Sequence, residues 1–416
     1  MIGNLKRIFS KLLNFRVFLL FNSFIFCCKI LYSFYIGFSG LHFEDWAIAN
    51  NLAKYGEYSE FINIGPTAYK LPVYPLFLSF FVKWFPMYAK EIVTIVQHVI
   101  YFIIPILVIK IGSLVFNKNT GILAAYIFIF SPGYFYYSNV MEATNIFIPI
   151  FLLWIYLYSL IYYEKWNKVT HYITFGVITT LLALTQVVAV PIIGLGLLAL
   201  LVFKKISIKH VLLVIFVASL SYSPWIIRNK IVFDKIIVSK TPVWQNIYFS
   251  FTSKVNVIDE LKLISDQHQS YTFQARRKID EFKMEEIYRE ETERVLVGNG
   301  NLVFKKWAQN ALLLWYVPLR YYYDNSLSIV LGRKMFVVFM NIFSIAAMLY
   351  FYKVGRRRLV LGFLMVFIGF TIPYMIGHVA NTRFKLDFEY LQYILVAAYL
   401  YSWTTNRIIY KNPPYA

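Results

Sequence analysis

About ten stretches of this chain are apolar over the length of a membrane crossing, and nothing else restricts its fold so strongly. They run over residues 16–38, 92–115, 120–138, 145–163, 170–185, 188–203, 210–227, 335–352, 359–377 and 386–404. Inside a hydrocarbon core the backbone has no water to bond, so each run is expected to be helical. The stretch 171–203 would be roughly 50 Å long as one helix at ~1.5 Å per residue, too long for one crossing. It is therefore divided near Gln186–Pro191. At 59% hydrophobic and 15% charged, the chain carries more apolar surface than a soluble domain of 416 residues could hide. The expected fold class is an all-α polytopic membrane protein.

A net charge of +20 is a feature of many nucleic-acid binders, but no soluble domain here carries a stripe of basic and aromatic residues. No nucleic-acid partner is expected; the cations follow the positive-inside bias and would meet anionic membrane lipids. With the N-terminus inside, Lys118, Lys165, Lys168, Lys204, Lys205, Lys209, the 353–358 cluster, Arg407 and Lys411 fall on the cytoplasmic side. The opposite loops around Glu142 and Gln186 carry no Lys or Arg, so both termini are placed inside. Charge followed by an apolar run at the N-terminus resembles a signal peptide, but no small-residue cleavage site follows, and an uncleaved first helix is expected. Cys27 and Cys28 are adjacent within the first run and make neither a disulfide framework nor a metal site.

Three regions result: 1–227, a membrane module with an outer loop at 40–90; 228–334, an outer segment with amphipathic helices; and 335–416, the C-terminal spans. In the first loop, the apolar run 73–86 is short for a crossing and flanked by Lys70, Lys83 and Lys90, so it should lie in the interface or dip into the membrane. The segment 228–334 is rich in acid. Its stretch 273–297 should form a solvated helix with one packed side, ended by Gly298-Asn299-Gly300.

This topology puts Glu44, Asp45, Glu142, Arg228 and Arg383 on the outer face, although charge counting did not require it. A carboxylate beside lipid, partly desolvated, can act as a base toward a hydroxyl; a helix cap is the plainer role for the pair Glu44-Asp45. Glu142, at the outer end of the third span, could equally be solvated beside a helix start. An outer-face Arg228 runs against the inside bias, and guanidinium is shaped to grip a phosphate, although Arg at an interface also snorkels. Lys70 and Arg383 are further outer cations. His98 and His378 are isolated polar groups rather than metal ligands. No Gly-rich nucleotide loop, zinc spacing or serine-hydrolase elbow occurs, so an activated donor should arrive dissolved in the membrane.

These residues resemble the glycosyltransferase C superfamily, in particular the branch (family 39-like) of protein O-mannosyltransferases and the lipid A aminoarabinose transferase. The resemblance covers about 40–235 well and the rest loosely. It rests on Glu44-Asp45 ahead of Ala49-Asn50-Asn51-Leu52 and on the run from Thr67 through Tyr69-Lys70-Leu71-Pro72 to Leu78. Ser131-Pro132-Gly133 followed by Glu142, and Pro224-Trp225 followed by Arg228-Asn229, extend it. The resemblance implies transfer of a sugar from a polyprenyl-phosphate-linked donor to a lipid, protein or polysaccharide acceptor, at the outer face of a bacterial plasma (inner) membrane. It implies Asp45 or Glu44 as general base, with Asp45 favoured, and Lys70, Tyr69, Glu142, Arg228 and Arg383 as donor-phosphate or substrate-binding residues. No site residue is assigned to a metal; whether a divalent ion takes part is left open. The chain departs from the family in its Glu-Asp order, in Trp46 where a Tyr is usual, in Gln186 where Arg is common, and in the missing proline near Arg383. A transporter or flippase for lipid-linked glycans, or an O-antigen polymerase, is the alternative. Spans mostly free of central charge, with polar groups gathered on one face, favour the one-sided enzyme.

Overall fold

The computed structural model describes residues 11–38, 40–253, 256, 258–316, 327–377 and 381–405. His378, Arg407 and Lys411 lie outside them. The described residues are helical with no named strand. Six helices are long and apolar enough to cross a membrane: α1 (Phe15–Tyr35), α4 (Ala89–Val115), α7 (Thr144–Tyr162), α10 (Ile208–Phe233), α15 (Leu327–Lys353) and α16 (Arg357–Gly377). The protein is an all-α polytopic membrane protein.

The other expected spans are shorter helices, each cut for a local reason. Residues 120–138 divide into α5 (Lys118–Ile129) and α6 (Pro132–Tyr137). Pro132 opens α6, where its missing N–H costs nothing, but the same ring would disrupt a continuous helix. The run 171–203 divides into α8 (Val169–Ala183) and α9 (Ala189–Val202). The Thr185 hydroxyl returns to the Leu181 carbonyl at 2.6 Å, and Pro191 falls in the first turn of α9, among amides that lack helical partners anyway. The last run is α17 (Glu389–Thr405), whose first ten residues are buried in the bundle against α5 and α15. The α4–α5 crossing is the closest: a Cβ on Gly112 would lie 2.6 Å from Gly121 Cα, so only glycine fits.

After α1, α2 (Glu44–Tyr55) packs on α3 (Val73–Trp84). At twelve residues, α3 is about 18 Å long and cannot cross a bilayer. It bares Leu76, Phe80 and Trp84, as an interfacial helix would. The segment after α10 contains α11 (Trp244–Ser250), α12 (Asp266–Ala275), α13 (Glu281–Leu296) and α14 (Gly300–Tyr316) around a small core of Tyr248, Leu261, Ile264, Met284 and Tyr288. The one helix expected over 273–297 is two. The Asp280 carboxylate accepts from the Phe282 and Lys283 amides, both at 3.0 Å, and so starts α13 afresh. Gly298, at φ +75°, follows its end.

Charge also enters the bundle where the sequence looked purely apolar. Lys29, in α1, is buried and donates to the Tyr134 carbonyl at 2.7 Å and to Ser138 Oγ at 2.9 Å. The Arg333 guanidinium grips Glu389 with two bonds, at 3.0 and 2.7 Å. Both are engaged locally, and both brace segments that lead to the site described below.

Candidate active site

Two loops at one end of the bundle are stitched together at the backbone. The Met141 amide donates to the Leu41 carbonyl at 2.7 Å, and His42 and Met141 form an isolated parallel bridge. A Cβ on Gly40 would collide with the Asn139 carbonyl, so the glycine permits the approach. The 138–142 loop is held from below as well. Gln97 donates to the Ser138 and Val140 carbonyls at 3.0 and 3.1 Å, and His98 meets Ser33, whose hydroxyl donates to Asn139. Glu44 and Asp45 on one loop and Glu142 on the other are thereby fixed at the same end of the bundle.

Neither acid of the pair is the helix cap, which is Phe43 in extended conformation; both sit in the first turn of α2, where the helix dipole favours negative charge. Asp45 is 2% exposed, and its Oδ2 has no hydrogen-bond partner among the described residues. Lys70 Nζ stands 3.5 Å from that oxygen and 3.3 Å from Glu44 Oε2. The loop that presents Lys70 is clamped from three directions. The Tyr58 hydroxyl donates to the Lys70 carbonyl (2.9 Å), Glu281 of α13 accepts from the Ala68 amide (2.9 Å), and Arg228 donates to the Thr67 carbonyl (2.8 Å). Burial works against the charge on Lys70, but Asp45 and Glu44 outweigh it and hold its pKa above the usual lysine range. Burial likewise opposes ionisation of Glu44, yet Lys70 and Arg276 bring its pKa down to about 2.

The second acidic loop carries its own cation. Arg383 pairs with Glu142, which also accepts from the Tyr137 hydroxyl. Asp387, fully buried, accepts from Tyr374, whose hydroxyl also reaches Gln186 at 3.3 Å. The position where the family resemblance led one to expect an arginine therefore sits beside an interior acid. Arg383 is close enough to Lys70 for their charges to repel, which ties the two clusters into one site.

Arg228 is placed differently from the expectation. Its guanidinium donates to the Thr67 carbonyl, the Asn229 side chain and, at 3.3 Å, the Tyr58 carbonyl, among the rings of Tyr58, Trp225 and Phe233. It shapes the Lys70 loop from behind. Tyr69 stacks on Arg276, 4.0 Å from ring centroid to guanidinium. Three participants had no local signal in the sequence. Arg276 of the outer segment pairs with Glu44 (3.6 Å) and with Glu60. Lys240 makes no ion pair within 4 Å among the described residues, yet feels Lys70, Asp45 and Glu44; burial and Lys70 together bring its pKa down to about 8.

Among the described residues no three His, Cys, Asp or Glu side chains gather as a metal site. Glu44, Asp45 and Glu142 each face a lysine or arginine instead. With their charge met by those cations, these side chains do not fit a resident divalent ion.

No family model and no curated protein matches this sequence. Solved structures do. The oligosaccharyltransferase of Archaeoglobus fulgidus, in a crystal structure tethered to an acceptor peptide containing the NVT sequon, aligns with a TM-score of 0.52 at 14% identity. Another crystal structure of that protein, a complex with Zn and sulfate, aligns with a TM-score of 0.51 at 14% identity. Each match covers 87% of this chain and 45% of the other, so the chain spans less than half the length of these proteins. The chain shares its fold with these oligosaccharyltransferase structures.

Proposed function

We propose that this protein is a membrane glycosyltransferase that moves a sugar from a polyprenyl-phosphate carrier to a lipid, protein or polysaccharide acceptor at the outer face of the plasma membrane. One observation carries the reading: Asp45 is buried with an unbonded carboxylate oxygen, beside Lys70 and within reach of the charge on Lys240, in a fold shared with oligosaccharyltransferases. In the reaction, a nucleophilic oxygen or nitrogen of the acceptor attacks the anomeric carbon as the bond from that carbon to the phosphate oxygen breaks. The bonding pair leaves with the phosphate, whose charge grows from one to two, and the acceptor's proton passes to Asp45. A carboxylate is a weak base, but it suffices once the anomeric centre is cationic and acidifies the attacking hydroxyl. Lys70, Lys240 and Arg383 oppose the charge that develops on the carrier, where it helps most.

The transport reading needs free polar groups at mid-membrane. Lys29 is committed to a carbonyl and a hydroxyl, and Arg333 to Glu389. The defining test incubates the protein in lipid vesicles with radiolabelled polyprenyl-phosphate hexoses and cell-envelope acceptors, and follows label out of the carrier lipid. Label that only crosses the bilayer, still on its carrier, would instead make the protein a flippase.

Two further outcomes are expected. Lys240 is an ammonium below its pKa of about 8 and neutral above it. Its pull on the donor phosphate is therefore present at neutral pH and lost as pH rises through that value. Donor kcat/KM should fall across that range in wild type and stay flatter in Lys240→Arg, which remains charged; identical profiles would remove Lys240 from donor binding. Second, after replacement of both native cysteines, Val297→Cys, exposed beyond α13, should react with an impermeant maleimide from outside intact cells. Lys118→Cys at the start of α5 should not, and the reverse pattern would turn the site inward.

A further inference from the structure

Between the first outer loop and the outer helices lies a cavity of about 210 Å³. The rings of Phe61, Tyr69, Phe233 and Phe282 line it, with Glu60 and Arg276 among its polar groups. It adjoins the carboxylate cluster through shared residues: Arg276 pairs with Glu60 on the cavity side and reaches Glu44 at 3.6 Å, while Tyr69 precedes Lys70. The Glu60 side chain is 10% exposed. Burial pushes its pKa up to about 7, so near neutral pH the carboxyl can either accept or donate a hydrogen bond.

At ~30 Å³ per water molecule, the space equals about seven waters, roughly the bulk of one sugar ring. Aromatic faces suit the apolar C–H faces of such a ring, and a carboxyl with a guanidinium suits its hydroxyls. A carrier phosphate fits poorly, because Glu60 and Glu281 face the same space. A polyprenyl tail fits no better beside buried acid and arginine. We propose that this cavity is a subsite that holds a single sugar ring next to the Glu44–Asp45–Lys70 cluster. The proposal rests on the transferase reading, and the ring belongs to either the donor or the acceptor.

The test is saturation-transfer NMR on the full chain in lipid nanodiscs, with methyl glycosides of glucose, mannose and galactose as probes. Wild type should transfer saturation to the ring protons of at least one glycoside. Ile64→Trp, which fills the cavity, should weaken that binding by roughly tenfold or more, as expected when stacking and hydrogen bonds are displaced together. Glu60→Gln, which keeps the shape, should weaken it less and guards against misfolding of the larger variant. Displacement by polyprenyl-phosphate glucose but not by bare polyprenyl phosphate assigns the ring to the donor; displacement by neither assigns it to the acceptor. Absence of transfer to every glycoside, or equal transfer in Ile64→Trp, overturns the subsite. So would saturation of Ser/Thr-containing peptides with none of the glycosides bound. Binding is read without turnover, so its failure counts against the subsite alone, whereas the vesicle assay addresses the transferase reading.

Discussion

In Asp45→Asn, sugar transfer falls by about 10²–10⁴-fold, the range lost with a general base, while the protein melts near its wild-type temperature. Asparagine keeps the size of the side chain in a position that is 2% exposed, so packing is preserved. Lys70 loses one partner but keeps Glu44 at 3.3 Å, so no buried cation is stranded. What disappears is the proton acceptor. Glu44→Gln should cost less, because two cations hold Glu44 near pKa 2 and make it the poorer base. The vesicle assay distinguishes the two acids: an active Asp45→Asn beside an inactive Glu44→Gln would transfer the role to Glu44, and activity in both would end the carboxylate mechanism.

The parts of this site that the sequence disclosed are those that sit close to one another along the chain or at the mouth of an apolar run. Glu44, Asp45 and Lys70 share one loop region, and Glu142 marks the exit of a span, so hydropathy alone put them on one face. The partners that complete the site come from far away. Arg276 meets Glu60 across 216 residues, and only folding brings them together. Lys240 lay in a stretch with no pattern beyond its outer location, and its proximity to Asp45 depends on the Thr241 amide bonding to the Ala68 carbonyl at 3.2 Å. Arg228 shows the opposite failure. Its charge and position were legible, but the carbonyls of Tyr58 and Thr67 that occupy it were not. For the fold, the length of the apolar runs showed that the chain is helical and polytopic, while the lengths of individual helices turned on caps such as Asp280 and on breaks such as Pro132.

The largest effect on stability is expected from Arg333→Met, a loss of about 3–5 kcal/mol, because the variant strips the buried Glu389 of its guanidinium partner. The two side chains are 1% and 0% exposed and meet through two parallel bonds. Water cannot replace the missing partner, and the Lys385 charge and Tyr393 hydroxyl that remain near Glu389 do not reproduce its two parallel bonds. The pair also braces the site. Glu389 opens α17, directly after the turn that carries Arg383 and Asp387. Arg333 presses on Gly133, whose Cβ would fall 2.9 Å from the guanidinium carbon, so α15, α6 and α17 are locked at one point. Loosening that lock should free Arg383 from Glu142 and reduce transfer at temperatures well below the melt. The double variant Arg333→Met/Glu389→Leu removes both charges and should recover most of the stability, since replacing a whole buried pair by apolar groups is often neutral or better. Melting in detergent micelles decides the matter: single variants as stable as wild type, or a double variant no better than either single, would show that the pair bears little of the load assigned to it here.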